Sequence, residues 1–279
     1  MLNLMRQAKN AIAAQEAALK IITSNIANMD TTGYKRLDIS FQSIFEQILN
    51  RGSAAGSTNN LGGTNPIQLG QGMGIADLKV DFSQGDLASG SNLDLAISGQ
   101  GLFAVSDDGG TTFKYTRSGD FSINSAGNLV TSTGAQVYGF FGTGTSLIPI
   151  TGLSSALYNT NNLSFDSAGS LLEYTDDTFT SVQADTGFRI ALTYFNNPGG
   201  LIQSAGSTFE ETDASGAPAA AALPGGAAGS VTARYTESSN VFYLSESLKS
   251  LEIQRAMNGN LTMIRLASDI ISNFISRLG

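Results

Sequence analysis

The stretch that decides how this chain is organised reads Ser24-Asn-Ile-Ala-Asn-Met-Asp-Thr-Thr-Gly-Tyr-Lys-Arg36. The chain before it has no proline and is rich in helix-forming residues. Short polar side chains in the stretch compete with the helical backbone for hydrogen bonds, and Gly33 then gives the backbone freedom to turn. The stretch therefore predicts the end of a long helix and a change in chain direction.

Composition favours a β-rich protein whose ends face other protein. The chain has 279 residues, enough for one large domain or two or three small ones, with 32 glycines and only 14% charged residues. The net charge is +2 over residues 1–51, −11 over 52–243 and +1 over 244–279. An acidic middle does not suit binding to nucleic acid or to an anionic membrane. It suits a solvent-facing domain between two ends that contact protein.

The sequence carries few features that indicate a cellular compartment. The chain has no cysteine, so it cannot form a disulfide. Charged residues interrupt the first 29 positions, which therefore lack the apolar run of a secretory signal. No apolar stretch approaches the ~20 residues of a membrane span. These residues alone predict a cytoplasmic protein, unless it is exported by an unusual route.

Both ends of the chain predict long helices with an apolar seam. In each seam the apolar residues alternate in steps of four and three, the spacing of a coiled coil. The N-terminal seam includes one polar residue, Gln15, and the C-terminal seam includes Asn260. The N-terminal seam is formed by Met1, Met5, Ala8, Ile12, Gln15, Leu19, Ile22 and Ile26. The C-terminal seam is formed by Ile253, Met257, Asn260, Ile264, Ala267, Ile271, Phe274 and Leu278. A helix lying on its own domain is the alternative, but nearly four heptads exceed what a small β domain usually covers.

The middle of the chain predicts several kinds of segment. Residues 37–50 place apolar side chains at helical spacing and predict a short amphipathic element, and 51–66 predict a flexible linker or long loop. From residue 67 the pattern changes to β. Residues 121–130 and 163–172 resemble each other, and both predict a hairpin with a glycine turn. Residues 213–230, rich in Ala, Gly and Pro, predict an exposed loop.

The predicted fold class is therefore α+β. The terminal helices are expected to pair into one coiled coil that carries an inserted, mainly antiparallel β domain. The predicted boundaries are 1–36 and 241–279 for the helical domain, 37–66 for the amphipathic element and linker, and 67–240 for the β-rich outer domain.

The stretch from Ser24 to Arg36 resembles the N-terminal signature of the bacterial flagellar rod and hook proteins. In that signature a helix ends in Ser-Asn-x-x-Ala-Asn and continues through Thr-x-Gly-(Phe/Tyr)-Lys-Arg. The matching residues here are Ser24, Asn25, Ala27, Asn28, Thr32, Gly33, Tyr34, Lys35 and Arg36.

The resemblance extends along nearly the whole chain. Further blocks follow in the family's order: Asp94-x-Ala-Ile-x-Gly-x-Gly-x-Phe103, Tyr115-Thr-Arg-x-Gly-x-Phe121, Phe195-x-Asn-Pro-x-Gly-Leu201, Glu237-x-Ser-Asn-Val241 and Gln254-Arg-Ala256. Met257 and Gly259 depart from the family pattern and blur the subfamily. The length of the chain favours the distal rod type, with a short hook protein and a proximal rod protein as alternatives.

This resemblance implies a structural role. Such subunits leave the cell through the flagellar type III export apparatus without a cleaved signal, and they polymerise helically into a hollow tube of the basal body. The tube has its helices innermost, transmits torque and passes later subunits. The implied partners are further copies of the chain and other rod and hook subunits. Neither nucleic acid nor membrane insertion is implied, and no cofactor.

The residues themselves offer little catalytic chemistry. With no histidine and no cysteine, the usual bases, thiol nucleophiles and zinc ligands are missing. The alternative outside the family is a carbohydrate-binding or hydrolytic β module that uses paired carboxylates. Its candidates are Asp107-Asp108, Asp176-Asp177 and Glu210-Glu211. Adjacent residues of a strand point to opposite faces, so these pairs are expected to be solvated loops rather than a catalytic site.

Overall fold

The computed structural model divides the chain into two compact units. The first unit combines Met1–Ile26, Leu37–Leu78 and Tyr243–Gly279, and the second combines Ala27–Arg36 and Lys79–Phe242. The chain therefore passes between the units four times. The residues described are 2–50, 65, 67–153, 158–175 and 181–278.

The first unit contains two long helices and a two-stranded sheet. Helix α1 spans Leu2–Ala27 and helix α2 spans Tyr243–Leu278, as both terminal patterns predict. Strand β1 spans Leu37–Asn50 and pairs with strand β2, Ile67–Val80. The side-chain amide of Gln7 in α1 donates a hydrogen bond of 2.5 Å to the Gly70 carbonyl in β2.

The helical interpretation of residues 37–50 is wrong, because this segment is strand β1. The spacing of Phe41 and Ile44 fits one face of a helix. However, residues 37–41 also alternate between apolar and polar side chains, and the segment is rich in Ile and Phe, which favour strands. Pairing with β2 satisfies the backbone and decides between the two patterns. The linker predicted over 51–66 lies outside the described residues, apart from residue 65.

The second unit is an antiparallel β structure. Its strands are β3 Leu87–Ser89, β4 Leu95–Ser98, β5 Leu102–Ser106, β6 Lys114–Thr116, β7 Phe121–Ile123, β8 Leu129–Thr131, β9 Gln136–Phe141, β10 Ile148–Pro149, β11 Leu163–Phe165, β12 Ser170–Tyr174, β13 Val182–Ile190, β14 Leu192–Thr193, β15 Ile202–Gln203, β16 Thr208–Glu210, β17 Ser230–Ala233 and β18 Tyr235–Glu237. Among the described residues the main sheet has twelve strands, with the central order β11-β12-β13-β9-β5-β6-β16-β15. Strands β4 and β17 form a separate pair, as do β3 and β18.

The core of this unit is formed by inward-facing side chains of the strands. Phe103 of β5 is fully buried and packs edge-on against Phe121 of β7, with ring centroids 5.1 Å apart. Leu129, Leu163 and Ile190 belong to the same buried cluster. The core therefore draws on residues from both halves of the unit.

The two predicted hairpins are confirmed, and their turns share one geometry. Strands β7 and β8 are joined through Asn124, whose side-chain oxygen accepts hydrogen bonds from the N–H groups of Ala126 and Asn128. Strands β11 and β12 are joined through Asp166, whose carboxylate accepts from the N–H groups two and four residues later. In each turn the fourth residue is a glycine with φ near +80°.

The loop predicted over 213–230 is only partly exposed. Ala222 forms a β-bridge with Leu192, and Ala228 is buried in the core cluster. Small side chains allow this segment to lie close to the sheet, which is why a composition poor in large residues still packs. None of the described helices is long and apolar enough to cross a membrane.

Tyr115 makes the stability of the second unit sensitive to alkaline pH. Its ring packs edge-on against Phe195, and burial, together with the nearby Glu211 carboxylate, raises the pKa of Tyr115 to about 12. An unfolded tyrosine ionises near pH 10. Between about pH 10 and 12 the unfolded state therefore binds fewer protons at this site, and stability falls as the pH rises.

We expect Tyr115→Phe to flatten this pH dependence. The measurement is the free energy of urea unfolding of the wild type and the variant at several values between pH 9 and 12. Tyr235→Phe, at an exposed position, controls for the loss of a phenol as such. An equally steep decline in wild type and Tyr115→Phe would contradict the assignment.

Candidate functional site

The N-terminal part of the motif is fixed in the first unit by Asn25. This side chain is buried and forms two hydrogen bonds with the backbone of Leu37: its amide donates to the carbonyl at 2.9 Å, and its oxygen accepts from the N–H at 3.0 Å. The same amide lies 3.3 Å from a carboxylate oxygen of Glu246, which is also buried. Asn25 therefore ties the end of α1 to the start of β1 and to the first turns of α2.

The C-terminal part of the motif is fixed in the second unit, beginning with a turn. Thr31 donates its backbone N–H to the Asn28 carbonyl, and Tyr34 donates its own to Thr31. Gly33 has φ +67°, and a Cβ atom at this position would lie 2.3 Å from the backbone nitrogen of Ser118. The turn can therefore form only with glycine at position 33. Of the other motif residues, Ser24 and Thr32 are half-buried and Ala27 is exposed.

A buried ion cluster centred on Glu237 follows this turn. Lys35 lies 2.6 Å from one carboxylate oxygen of Glu237, and the Nε atom of Arg117 lies 2.8 Å from the other. All three side chains are almost completely buried. The Glu237 carboxylate also accepts the N–H of Gly85, and its backbone carbonyl accepts the N–H of Gly33. One acidic residue thus connects segments from three distant parts of the chain.

Two cations share this single carboxylate, so the cluster carries excess positive charge when Lys35 is protonated. Burial lowers the pKa of Lys35, and the attraction of Glu237 offsets part of that effect. The Lys35 ammonium donates a second hydrogen bond to the Ser83 carbonyl at 2.7 Å. A fold can accommodate buried charges when they are paired and fully hydrogen-bonded. Removing one partner leaves the other charge buried and unpaired, which strongly destabilises the fold.

Arg117 links the ion cluster around Glu237 to Gly99 and Gly101, the glycine pair of the motif Asp94–Phe103. Its guanidinium donates hydrogen bonds to the carbonyls of Gly99 at 2.8 Å and Gly101 at 2.6 Å. A Cβ atom on Gly101 would lie 2.6 Å from the Ala228 carbonyl, so a close chain approach requires glycine there. The Gly-x-Gly pair therefore serves packing and hydrogen bonding to Arg117.

A second polar cluster joins the chain segments at the edge of this unit. The side-chain oxygen of Asn240 accepts the N–H of Arg36 at 2.7 Å, and its amide donates to the Asp81 carbonyl at 2.8 Å. The Arg36 guanidinium also pairs with the Asp81 carboxylate at 3.0 Å. The sequence motifs contain Arg117, Glu237 and Asn240, but the contacts that these residues make in the two polar clusters were not predicted. The sequence feature that could have suggested these contacts is the charged residue within each of several motifs, because the chain has few charged residues.

The predicted seams occupy the less exposed sides of the two helices. In α1, Ile22 is buried, and Met5, Ile12, Leu19 and Ile26 are half-buried. In α2, Ile253, Met257, Ile264 and Ile271 are half-buried, whereas Phe274 is exposed. The side chains of Met1 and Leu278 lie outside those described. The structure brings the polar seam residues together, because the Asn260 amide donates to the Gln15 side chain at 3.1 Å.

Helix α2 also carries a second apolar stripe that is exposed. Its members lie on the opposite side of the helix from the seam, and each is half exposed or more. The stripe is formed by Leu244, Leu248 and Leu251 in the first turns of the helix, and Leu266 lies on the same side beyond the polar residues Arg255 and Thr262. A helix with apolar residues on two opposite sides is typical of one that is surrounded by protein.

The acidic pairs do not form a catalytic arrangement in the described residues. The Asp107 carboxylate pairs with Lys114. Asp108 accepts hydrogen bonds from the side chain and the backbone of Thr112. These hydrogen bonds hold the pKa of the Asp108 carboxyl well below its usual value. Glu210 and Glu211 are exposed at the end of β16. Asp176 and Asp177 lie outside the described residues. Within the part of the chain that the structure describes, no three acidic side chains converge as metal ligands.

Two family descriptions match parts of the chain. Residues 96–172 match the family described as "Flagellar hook protein FlgE/F/G D1 domain", and residues 5–35 match "Flagella basal body rod protein". The first match contains strands β5 to β11, and the second contains most of α1 and the motif up to Lys35.

Several relatives are similar to the chain from end to end. The flagellar basal-body rod protein FlgG of Bacillus subtilis is 31% identical over 264 residues, which cover 94% of this chain and 93% of the relative. FlgG of Caulobacter vibrioides is 33% identical over 269 residues, 96% of each chain. The flagellar hook protein FlgE of Helicobacter pylori is 39% identical, but over 132 residues that cover 47% of this chain and 18% of the hook protein.

The buried cluster predicts an unequal response to loss of its members. Glu237→Gln leaves two buried cations without a carboxylate and is expected to cost roughly 3–5 kcal/mol of unfolding free energy. Lys35→Met removes one ion pair and its hydrogen bonds but leaves Arg117 and Glu237 paired with no net charge, so about 1–3 kcal/mol is expected. Urea unfolding followed by tyrosine fluorescence, in a chain without tryptophan, measures both values. A larger loss for Lys35→Met than for Glu237→Gln would contradict the roles given to these residues.

Proposed function

This chain belongs to the family of flagellar basal-body rod proteins, and from that premise we propose that its terminal helices form a coiled coil through which copies assemble helically into a hollow tube. The chain is a structural subunit of the flagellar rod, of the distal rod type. The similarity to rod proteins extends over more than nine-tenths of both chains, whereas the hook similarity covers 18% of one hook protein and 29% of another. This end-to-end similarity is the observation that carries the proposal.

The contacts between the helices support a coiled coil. Gln15 of α1 hydrogen-bonds Asn260 of α2, and Asn25, further along α1, hydrogen-bonds Glu246, earlier in α2. The two helices therefore run in opposite directions along each other. Their less exposed sides carry the residues whose four-and-three spacing predicts a seam.

The exposed stripe of α2 supports assembly of further copies around this coiled coil. Leu248 is 53% exposed, Leu251 50% and Leu266 54%. Burying a large apolar side chain contributes about 1.5–3 kcal/mol, so a stripe of this length gives neighbouring copies a substantial reason to pack there. We propose that this stripe contacts the helices of neighbouring subunits.

The division of the chain supports a tube with the helical unit inside. Residues 52–243 carry the net negative charge of the chain, with 16 acidic and only 5 basic side chains, and a strongly charged surface favours solvent. We propose that the β-rich unit forms the outer part of the tube and that the subunit reaches the basal body through the flagellar export channel without cleavage of a signal. In the assembled rod it transmits torque and contacts other rod and hook subunits.

Charges placed in the seam should block assembly and spare the β-rich unit. Ile22→Asp puts a carboxylate at a buried position of α1, and Ile271→Asp puts one at a half-buried position of α2. Burying an unpaired charge costs several kcal/mol, so coiled-coil pairing and tube formation should be lost. Electron microscopy of purified protein checks for tubes, and swimming of cells that carry only the variant checks function.

Thr23→Asp and Ser272→Asp are matched controls. Each places the same charge one residue away at an exposed position, and each should assemble normally. The near-ultraviolet circular dichroism of the β-rich unit should be unchanged in all four variants. Normal tubes from Ile22→Asp would show that this seam position does not lie in an essential interface.

A further inference from the structure

The seams of the two helices contain one polar residue each, and the structure pairs them. Gln15 is only 4% exposed, and Asn260 is half-buried. The Asn260 amide donates a hydrogen bond to the side-chain oxygen of Gln15 at 3.1 Å. Every other predicted seam position is apolar. Two isolated polar residues that meet each other inside apolar seams have a shared role.

The residues on either side of this pair indicate one specific alignment of the helices. Counting seven residues back from Gln15 and seven forward from Asn260 reaches Ala8 and Ala267, two small residues that are both buried. Counting seven in the other directions reaches Ile22 and Ile253, which line the same cavity of about 180 Å³. The heptads of the two helices are therefore in step, with Gln15 opposite Asn260.

A shift by one heptad would keep the apolar residues aligned but separate the two amides. In one shift Gln15 would face Ile253 and Asn260 would face Ala8; in the other Gln15 would face Ala267 and Asn260 would face Ile22. Each shift would leave the buried Gln15 amide and the half-buried Asn260 amide without each other as partners, and an unsatisfied buried polar group disfavours a state by roughly tenfold or more. The apolar spacing alone does not distinguish these alignments, because it repeats every seven residues.

We infer that Gln15 and Asn260 set the register in which α1 pairs with α2, so that only one of the heptad-related alignments is populated. This inference rests on the proposed coiled coil and goes beyond it by assigning its specificity to two residues. A single buried polar pair in an apolar seam is known to fix register in coiled coils at some cost in stability. The apolar residues supply affinity between the helices. Within the seams the amide pair selects the alignment, and the Asn25–Glu246 contact outside the seams fits the same alignment.

The test measures the register directly by pulsed electron spin resonance. The chain has no cysteine, so Lys9→Cys and Gln254→Cys, at exposed positions of α1 and α2, accept one spin label each. With one alignment the labels give a single distance. A one-heptad shift moves one helix by roughly 10 Å along the other and changes that distance measurably. The measurement uses the unassembled full-length chain.

The decisive variant is Gln15→Leu with Asn260→Leu in the labelled chain. It should keep its helical circular dichroism and show a second label distance, displaced by several ångströms. Exchanging the amides, with Gln15→Asn and Asn260→Gln, should restore the single distance. Glu16→Leu with Asn258→Leu, which adds the same leucines at nearby exposed positions, should also give one distance.

Some results would overturn the inference. These are one unchanged distance in the double-leucine variant, a second distance in the exchanged or control variant, or several distances in the unsubstituted chain. None of these outcomes depends on tube formation. Failure of the wild-type protein to form tubes would instead contradict the proposed function, so the two ideas fail separately.

Discussion

The β-rich unit depends on one buried carboxylate that is paired with two cations. Glu237 pairs with both Lys35 and Arg117, and its backbone anchors the turn at Gly33. A buried cluster of this kind contributes little net stability compared with apolar packing, but it penalises every arrangement in which one member is missing. Its effect is to require that three distant parts of the chain arrive at the same place.

The positions of the charged residues within the motifs follow from this cluster. Lys35 comes from the opening motif, Arg117 from the block around Tyr115, and Glu237 from the block before α2. In the sequence these blocks are separated by about 80 and 120 residues, as their positions show. Their shared chemistry explains why charged residues occur inside motifs of a chain that is otherwise poor in charge.

Local sequence patterns predicted the helices and hairpins correctly where the spacing of the residues fitted only one type of element. The unbroken seams predicted α1 and α2, and the turns at Asn124 and Asp166 predicted two hairpins. Residues 37–50 misled because Phe41 and Ile44 fit a helix as well as a strand, and only pairing with β2 decides between them. The ion cluster could not be derived from spacing, since Lys35 and Glu237 are 202 residues apart. Contacts over that separation leave no period in the sequence.

The contact between Asn25 and Glu246 has a consequence for the order of folding. These residues are 221 positions apart, so α1 leaves the ribosome long before its partner helix. Bringing such distant segments together requires a large loss of chain entropy, which the folded β-rich unit reduces by shortening the effective loop. We therefore expect the helical unit to complete its fold after the unit inserted within it. Until α2 has been synthesised, α1 can contact strands β1 and β2 but lacks the helix that covers its seam.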